Sequence, residues 1–288
     1  MRKLLTALIC LALFYTCADP PDLSEIISGI DDVTPGATIN THPESFDNST
    51  VTISWTPDPN TTSFSYQLEP LSYTDIVDTY TAWTDWSTDT TAELSYLDEG
   101  SYNFYVKGRV NAENVQTDPT VTNFDVDAYS GSGLRIYPLK QTVTAGNPFQ
   151  LYLFADDINA VKGFETQINL SNNNITYSGW EKGSIFTASA DENAVEGEYA
   201  IGSDYAIFIP PSEGDGTITL SGVISGTGLG TGSAGETFEI IKLNFTYSGL
   251  SSTNTDITID TENTLLRDAD NQNIQLVNRV PGIIEGGE

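Results

Sequence analysis

Hydrophobic residues along most of this chain recur at every second position. Val51, Ile53 and Trp55 alternate with Thr52 and Ser54, and Phe64, Tyr66 and Leu68 repeat the pattern. Tyr102, Phe104 and Val106 do so again, as do Phe164, Ile168 and Leu170 against Glu165, Gln167 and Asn169. Ile218, Leu220 and Ile224 follow, and Ile241, Leu243, Phe245 and Tyr247 line one more face. A period of two places one set of side chains inward and the other in water, which is the signature of half-buried strands. Turn-forming clusters such as Thr56-Pro57-Asp58-Pro59-Asn60 and Thr144-Ala145-Gly146-Asn147 separate the runs. Beyond the N-terminus no segment longer than a turn or two has helical apolar spacing, so the expected fold is all-β. At 288 residues there is chain for two cores. The small-residue bridge Asp127-Ala128-Tyr129-Ser130-Gly131-Ser132-Gly133 is the best boundary between them, with limited relative motion expected there.

Residues 35–127 hold about seven strands, including a short one flanked by Trp83 and Trp86, which predicts an immunoglobulin-like sandwich. The Trp on the second strand, the aromatic third strand and Leu97-x-x-Gly100-x-Tyr102-x-Phe104-x-Val106 resemble fibronectin type III modules. The last of these is similar to a tyrosine corner, whose hydroxyl bonds back to nearby backbone. Trp83-Thr84-Asp85-Trp86-Ser87 resembles a pattern in bacterial fibronectin-like spacers. The Trp pair reads either as core and edge packing or as a sugar-stacking platform.

Residues 134–288 carry a longer series of strands, with a hairpin at 198–209 and a Gly/Ser/Thr loop at 226–235. That loop is no dinucleotide fingerprint, because no helix follows it. Several pieces recur here in a telling order. They are Ala145-Gly146 before a strand, Val161-x-Gly163-Phe164 entering the next, and Gly179-Trp180-Glu181-Lys182-Gly183-Ser184-Ile185-Phe186. Gly222-x-x-Ser225-Gly226-x-Gly228, Glu239-Ile240-Ile241-Lys242-Leu243-x-Phe245, and Leu266-Arg267-Asp268-Ala269-Asp270 before Gly282-Ile283-Ile284 complete the set. Together they resemble cohesin domains, jelly-roll sandwiches of cellulosome scaffolds. The chain departs from that family at Ser171-Asn172-Asn173-Asn174, where Tyr-Asp-Pro-like residues are usual, and its 198–209 hairpin is longer. The resemblance implies a protein partner of dockerin type, bound on one sheet face by outward residues: Gln167, Asn169, Thr219, Lys242, Asn244 and Thr246. The alternative is an ordinary solvated face, since antiparallel sheets often leave one side wet.

The N-terminus adds a compartment. Met1-Arg2-Lys3 and apolar Leu4–Tyr15 lead to Cys17, which resembles a bacterial lipoprotein signal with Cys17 acylated, although Phe14 and Tyr15 depart from the usual lipobox. An ordinary cleaved signal is the alternative. Residues 1–17 are thus read as the signal, 18–34 as a tether, and the location as the bacterial cell envelope, facing the surface or the periplasm and held by a lipid anchor alone. Without Arg2 and Lys3 the 11 basic residues fall to 9 against 40 acidic ones, a net charge of −31, which repels nucleic acid. The acidity reads as a solubilising surface or, more sharply, as divalent-cation binding. Both cysteines, Cys10 and Cys17, lie in the leader, and the single histidine, His42, has no nucleophile elbow near it. No cofactor or resident metal is expected: Asp268-x-Asp270-Asn271-x-Asn273 lacks the glycine and closing glutamate of a calcium loop and reads as a turn. The expectation is a non-enzymatic binding protein. Its first rival is a carbohydrate-binding module that takes polysaccharide directly. The second, a glycosidase, requires two carboxylates in a cleft.

Overall fold

The computed structural model describes residues 34–72, 82–158, 161–183, 198–201, 204–214, 216–224 and 237–288. The expected signal, the tether up to residue 33, and the loop at 226–235 lie outside them. Every regular element among the described residues is a strand, and none is a helix long and apolar enough to cross a membrane.

The first seven strands are β1 (Ala37–Ile39), β2 (Ser45–Phe46), β3 (Val51–Pro57), β4 (Ser63–Pro70), β5 (Thr91–Leu94), β6 (Gly100–Arg109) and β7 (Thr120–Val126). They form two sheets, β1-β3-β5 and β2-β7-β6-β4, the two-layer arrangement of an immunoglobulin-like sandwich. The alternation sorts side chains as expected: Val51, Ile53 and Trp55 from one sheet meet Phe64, Tyr102, Phe104 and Val106 from the other, all buried. The Tyr102 hydroxyl donates to the Asp98 carbonyl at 2.8 Å, four residues upstream, so the tyrosine corner is present. One expectation fails. Residues 82–86 form no strand; the segment runs extended beside β4 and bridges to it at Ser87, paired with Phe64.

The second unit contains β8 (Gly133–Tyr137), β9 (Lys140–Thr144), β10 (Pro148–Asp156), β11 (Gly163–Leu170), β12 (Ile175–Lys182), β13 (Glu198–Ile201) and β14 (Asp204–Gly214). It continues with β15 (Thr217–Ile224), β16 (Thr237–Tyr247), β17 (Asn254–Ile259), β18 (Leu265–Arg267), β19 (Asn273–Ile274), β20 (Asn278–Val280) and β21 (Gly282–Gly287). One sheet runs β12-β16-β10-β8-β20; the other runs β13-β14-β15-β11-β17-β21-β9, with β18 and β19 attached beside β11. The core between them takes Leu151, Leu153, Leu243 and Phe245 from the first sheet and Phe164, Ile168, Ile218, Leu220 and Ile257 from the second. Each such side chain contributes about 1.5–3 kcal/mol by leaving water.

Two local devices shape this sandwich. The buried Tyr247 hydroxyl sits 3.1 Å from the carbonyls of Leu250 and Thr253 and 2.7 Å from the Thr253 hydroxyl, pinning the turn after β16. A Cβ at Gly249 would come within 2.5 Å of that oxygen, so the close approach requires glycine. The bridge between the two units is tied down as well. Ser132 Oγ donates to the Gln275 carbonyl at 2.7 Å, and Asn278 Nδ2 donates to the Ser130 carbonyl at 2.8 Å.

Candidate docking face

β11 lies in the middle of its sheet and builds the surface of interest. Phe164, Thr166 and Ile168 point into the core, which turns Glu165, Gln167 and Asn169 outward. On one side β15 is in register, with Gln167 opposite Thr219, Asn169 opposite Thr217 and Glu165 opposite Ser221. On the other side β11 has two partners in succession: β17 along its C-terminal half and β18 along its N-terminal half. Asp260 stands where the chain leaves β17. Its backbone N–H donates to the Gln167 carbonyl at 2.8 Å. Its carboxylate accepts from Asn169 Nδ2 at 3.1 Å and from the backbone of Glu262 and Asn263 at 2.9 and 2.8 Å. Those hydrogen bonds, from Asn263 first and then from Asn169, pull the Asp260 carboxyl below its ordinary range. Gln167 Nε2 in turn donates to Asn169 Oδ1 at 2.8 Å.

The outcome is a row of uncharged polar groups, Gln167, Asn169, Thr217, Thr219 and Ser221. Carboxylates of Glu165, Asp256 and Asp260 border it, and Val223 is 46% exposed at one end. Over the six-residue rise from Gly163 to Asn169 the row is about 20 Å long. None of the outward residues named on β11, β15 or β17 is aromatic. The hydrogen bonds of Gln167 and Asn169 hold these two side chains in place, so they have less conformational freedom left to lose than unpaired ones.

The six residues expected to share this face do not all lie on it. Gln167, Asn169 and Thr219 are together. Lys242, Asn244 and Thr246 belong to β16, which pairs with β10 and β12 in the opposite sheet, so they look out from the other side of the sandwich. There Lys242 pairs with Glu181 at 2.7 Å, which draws the Glu181 carboxyl down and pushes the Lys242 ammonium up. Asn244 Oδ1 accepts from Gln150 Nε2 at 2.9 Å. Sequence reasoning also missed Asp260, Thr217 and Ser221. Asn254, Asp256 and Thr258 alternate with Thr255, Ile257 and Ile259 on β17, a pattern that continues to Asp260 and signals an outward set. Nothing in it says which strand lies alongside.

Other candidate residues resolve differently. The Lys107 ammonium lies 3.9 Å from the Trp83 ring centroid and 5.6 Å from that of Trp86, and the Arg109 guanidinium lies 4.3 Å from Trp86. Cations thus occupy ring faces that a sugar would need, which argues against the stacking platform. His42 faces the Pro43 carbonyl at 2.7 Å and the Thr122 hydroxyl at 3.0 Å and packs on Phe46 and Phe124. The Asp268 carboxylate accepts the backbone N–H groups of Asp270 and Gln272 at 3.0 and 2.8 Å, as a turn requires. Among the described residues no group of three or more His, Cys, Asp or Glu side chains is gathered as for a metal ion. Carboxyls pushed up by burial are Asp98, Glu99 and Glu239. Asp98 reaches about 7, at the contact between the two sandwiches. Cys17 lies outside the described residues.

No family model matches the chain, and no curated protein matches it. Solved structures do. A non-cellulosomal cohesin from the archaeon Archaeoglobus fulgidus matches at 11% identity and a TM-score of 0.41, over 55% of this chain and 93% of its own. The sixth cohesin of Acetivibrio cellulolyticus scaffoldin B, solved with a Cel5 dockerin, matches at 14% identity and 0.42, over 55% of this chain and 100% of its own. A type I cohesin–dockerin complex from Clostridium thermocellum matches at 14% and 0.41, again over 55% and 100%. Identities and scores this low carry no partner across to this chain.

Proposed function

We propose that this chain is a surface docking protein. In this reading residues 134–288 form a cohesin-like receptor that holds a dockerin-bearing or similar protein through the β11–β15–β17 face. Residues 35–127 serve as a fibronectin type III-like spacer. Residues 18–34 tether the pair to a lipid on Cys17, at the outside of a bacterial cell engaged in polysaccharide breakdown. The observation that supports docking is the row of uncharged polar side chains Gln167, Asn169, Thr217 and Thr219, of which Gln167 and Asn169 are hydrogen-bonded to each other. A stacked sugar would call for exposed aromatic rings, whereas a level polar surface suits a folded protein. The sequence pieces that resemble cohesins run through the same unit.

The test is capture from an extract of the native cell on the immobilised chain, with calcium and with chelator. Recovery of dockerin-bearing proteins only with calcium supports the proposal. Retention of the chain on insoluble glycan, with no protein captured, would move the function to direct polysaccharide binding. Labelling with radioactive palmitate, lost in Cys17→Ser, tests the anchor.

A further inference from the structure

The two sandwiches meet around one fully buried guanidinium. Arg135 opens the second unit on β8 and has no exposed surface. Its Nε donates to Asp156 Oδ2 at 3.1 Å and its Nη2 to Asp156 Oδ1 at 3.3 Å. Thr237 Oγ1 adds a hydrogen bond to the same Asp156 carboxylate at 2.7 Å. The third participant comes from the first unit: Asp98, in the loop before β6, lies 3.5 Å from Arg135 Nη1, with its side chain only 15% exposed. Asp98 also accepts the backbone N–H of Leu139 at 3.1 and 3.3 Å, and its neighbour Glu99 accepts that of Tyr129 at 2.7 Å. Every one of these contacts to Asp98 and Glu99 crosses from one sandwich to the bridge or to the other sandwich.

Two carboxylates therefore share one cation, and Asp156 holds the better geometry. Asp98 receives what remains of a charge already half neutralised, in a place where a second negative charge is poorly solvated. We propose that the Asp98–Arg135–Asp156 contact is a pH-dependent clamp that fixes the orientation of the docking sandwich on its spacer, tight in mild acid and looser above neutral pH.

The sign follows from which state holds the proton. Undocked, Asp98 is an ordinary exposed carboxyl. Docked, burial pushes it up to about 7; Arg135 and the Leu139 N–H oppose the rise and Glu99 adds to it. The docked state thus binds the proton more tightly, so docking is strongest below about pH 4, weakens as pH rises toward 7 and levels off above it. The other groups facing this site act in the same direction or are silent over this range. Glu99, on the same loop, is raised by burial, with Asp156 of β10 and Asp127 of the bridge adding to the rise. Tyr102 of β6 and Tyr129 of the bridge are also pushed up by burial, Tyr102 with Tyr137 of β8 nearby, and stay neutral. The clamp is independent of what the second sandwich binds.

The experiment places one spin label in each sandwich, at Thr52→Cys and Thr258→Cys, both exposed strand positions. The background is the full chain carrying Cys10→Ser and Cys17→Ser. Pulsed dipolar spectroscopy then gives the distance distribution at pH 5.5, 7 and 8.5. The expected result is a narrow distribution at pH 5.5 that has broadened by pH 8.5, with the change levelling off above 7. Asp98→Asn, which keeps the shape without the charge, loses most of the broadening, and Glu99→Gln retains a transition displaced to lower pH, because one neighbour that raises the Asp98 carboxyl is gone. A wild-type distribution of unchanged width, an Asp98→Asn chain that broadens as wild type does, or a transition abolished by Glu99→Gln would each overturn the proposal.

Discussion

Replacing Arg135 by Met removes the cation while retaining an unbranched apolar stem. The site is buried: Arg135 has no exposure, and the Asp156 side chain keeps 9% of its own. Removing one member of a buried pair costs about 3–5 kcal/mol, chiefly because the surviving charge is left uncompensated. Two features pull the estimate to the lower end. Thr237 still donates to Asp156, and the new thioether rests near the Tyr137 and Phe154 rings, which lie 5.8 and 5.6 Å from the guanidinium carbon. A loss of about 3 kcal/mol at pH 8 corresponds to a fall of roughly 6–12 °C in Tm for a unit of this size. The deficit depends on pH. Arg135 restrains the rise of the Asp98 carboxyl, so its loss raises that group further. A carboxyl whose folded value lies above its unfolded one stabilises fully below about pH 4 and ceases to do so as pH climbs through 7. The Arg135→Met deficit is therefore largest at pH 8 and smaller at pH 5, and adding Asp98→Asn recovers part of it at pH 8. Equilibrium denaturation followed by tryptophan fluorescence measures this, with Trp180 reporting on the second sandwich. A loss below about 1 kcal/mol at pH 8, or a deficit greater at pH 5, refutes the reasoning.

Other outcomes follow from single contacts. Tyr247→Phe removes a buried hydroxyl with three oxygen neighbours and should cost about 1–2 kcal/mol in the same denaturation assay. Lys107→Ala should cost about 0.5–1 kcal/mol by uncovering Trp83, and Trp83→Ala should leave retention on insoluble glycan unchanged in a sedimentation assay. Asp260 should titrate below the ordinary aspartate range by carboxyl NMR and move back toward it in Asn169→Ala. Being depressed, it supports the fold above about pH 4 and loses that support as pH falls. Chelator should leave the Tm of the isolated chain unchanged, because the Asp268 carboxylate is taken up by backbone N–H groups; any calcium requirement then belongs to the partner.

Strand identity was legible because alternation is a local property. Phe164, Ile168 and Leu170 went inward and Glu165, Gln167 and Asn169 outward as the period of two demands. The same period placed Lys242, Asn244 and Thr246 outward correctly, yet it could not say outward from which sheet. β15 and β16 are consecutive in the chain and lie in different layers, and alternation has the same appearance in both. Register across sheets is set by long-range pairing, which also explains why Asp260 was invisible as a partner of Asn169, 91 residues away. The tyrosine corner was readable because Tyr102 and Asp98 are four residues apart. The shared Arg135 was not, since its partners come from two units.

The central claim concerns which of the two outer faces docks a protein, and one binding comparison addresses it. Calcium-loaded dockerin modules from the proteins captured in extract are titrated by calorimetry against three chains: wild type, Gln167→Ala/Asn169→Ala/Thr219→Ala, and Lys242→Ala/Asn244→Ala/Thr246→Ala. Affinity falling at least tenfold in the first variant, about 1.4 kcal/mol or more, and staying at the wild-type level in the second is the predicted result. Loss confined to the second variant, or no dockerin binding by the wild-type chain, contradicts it.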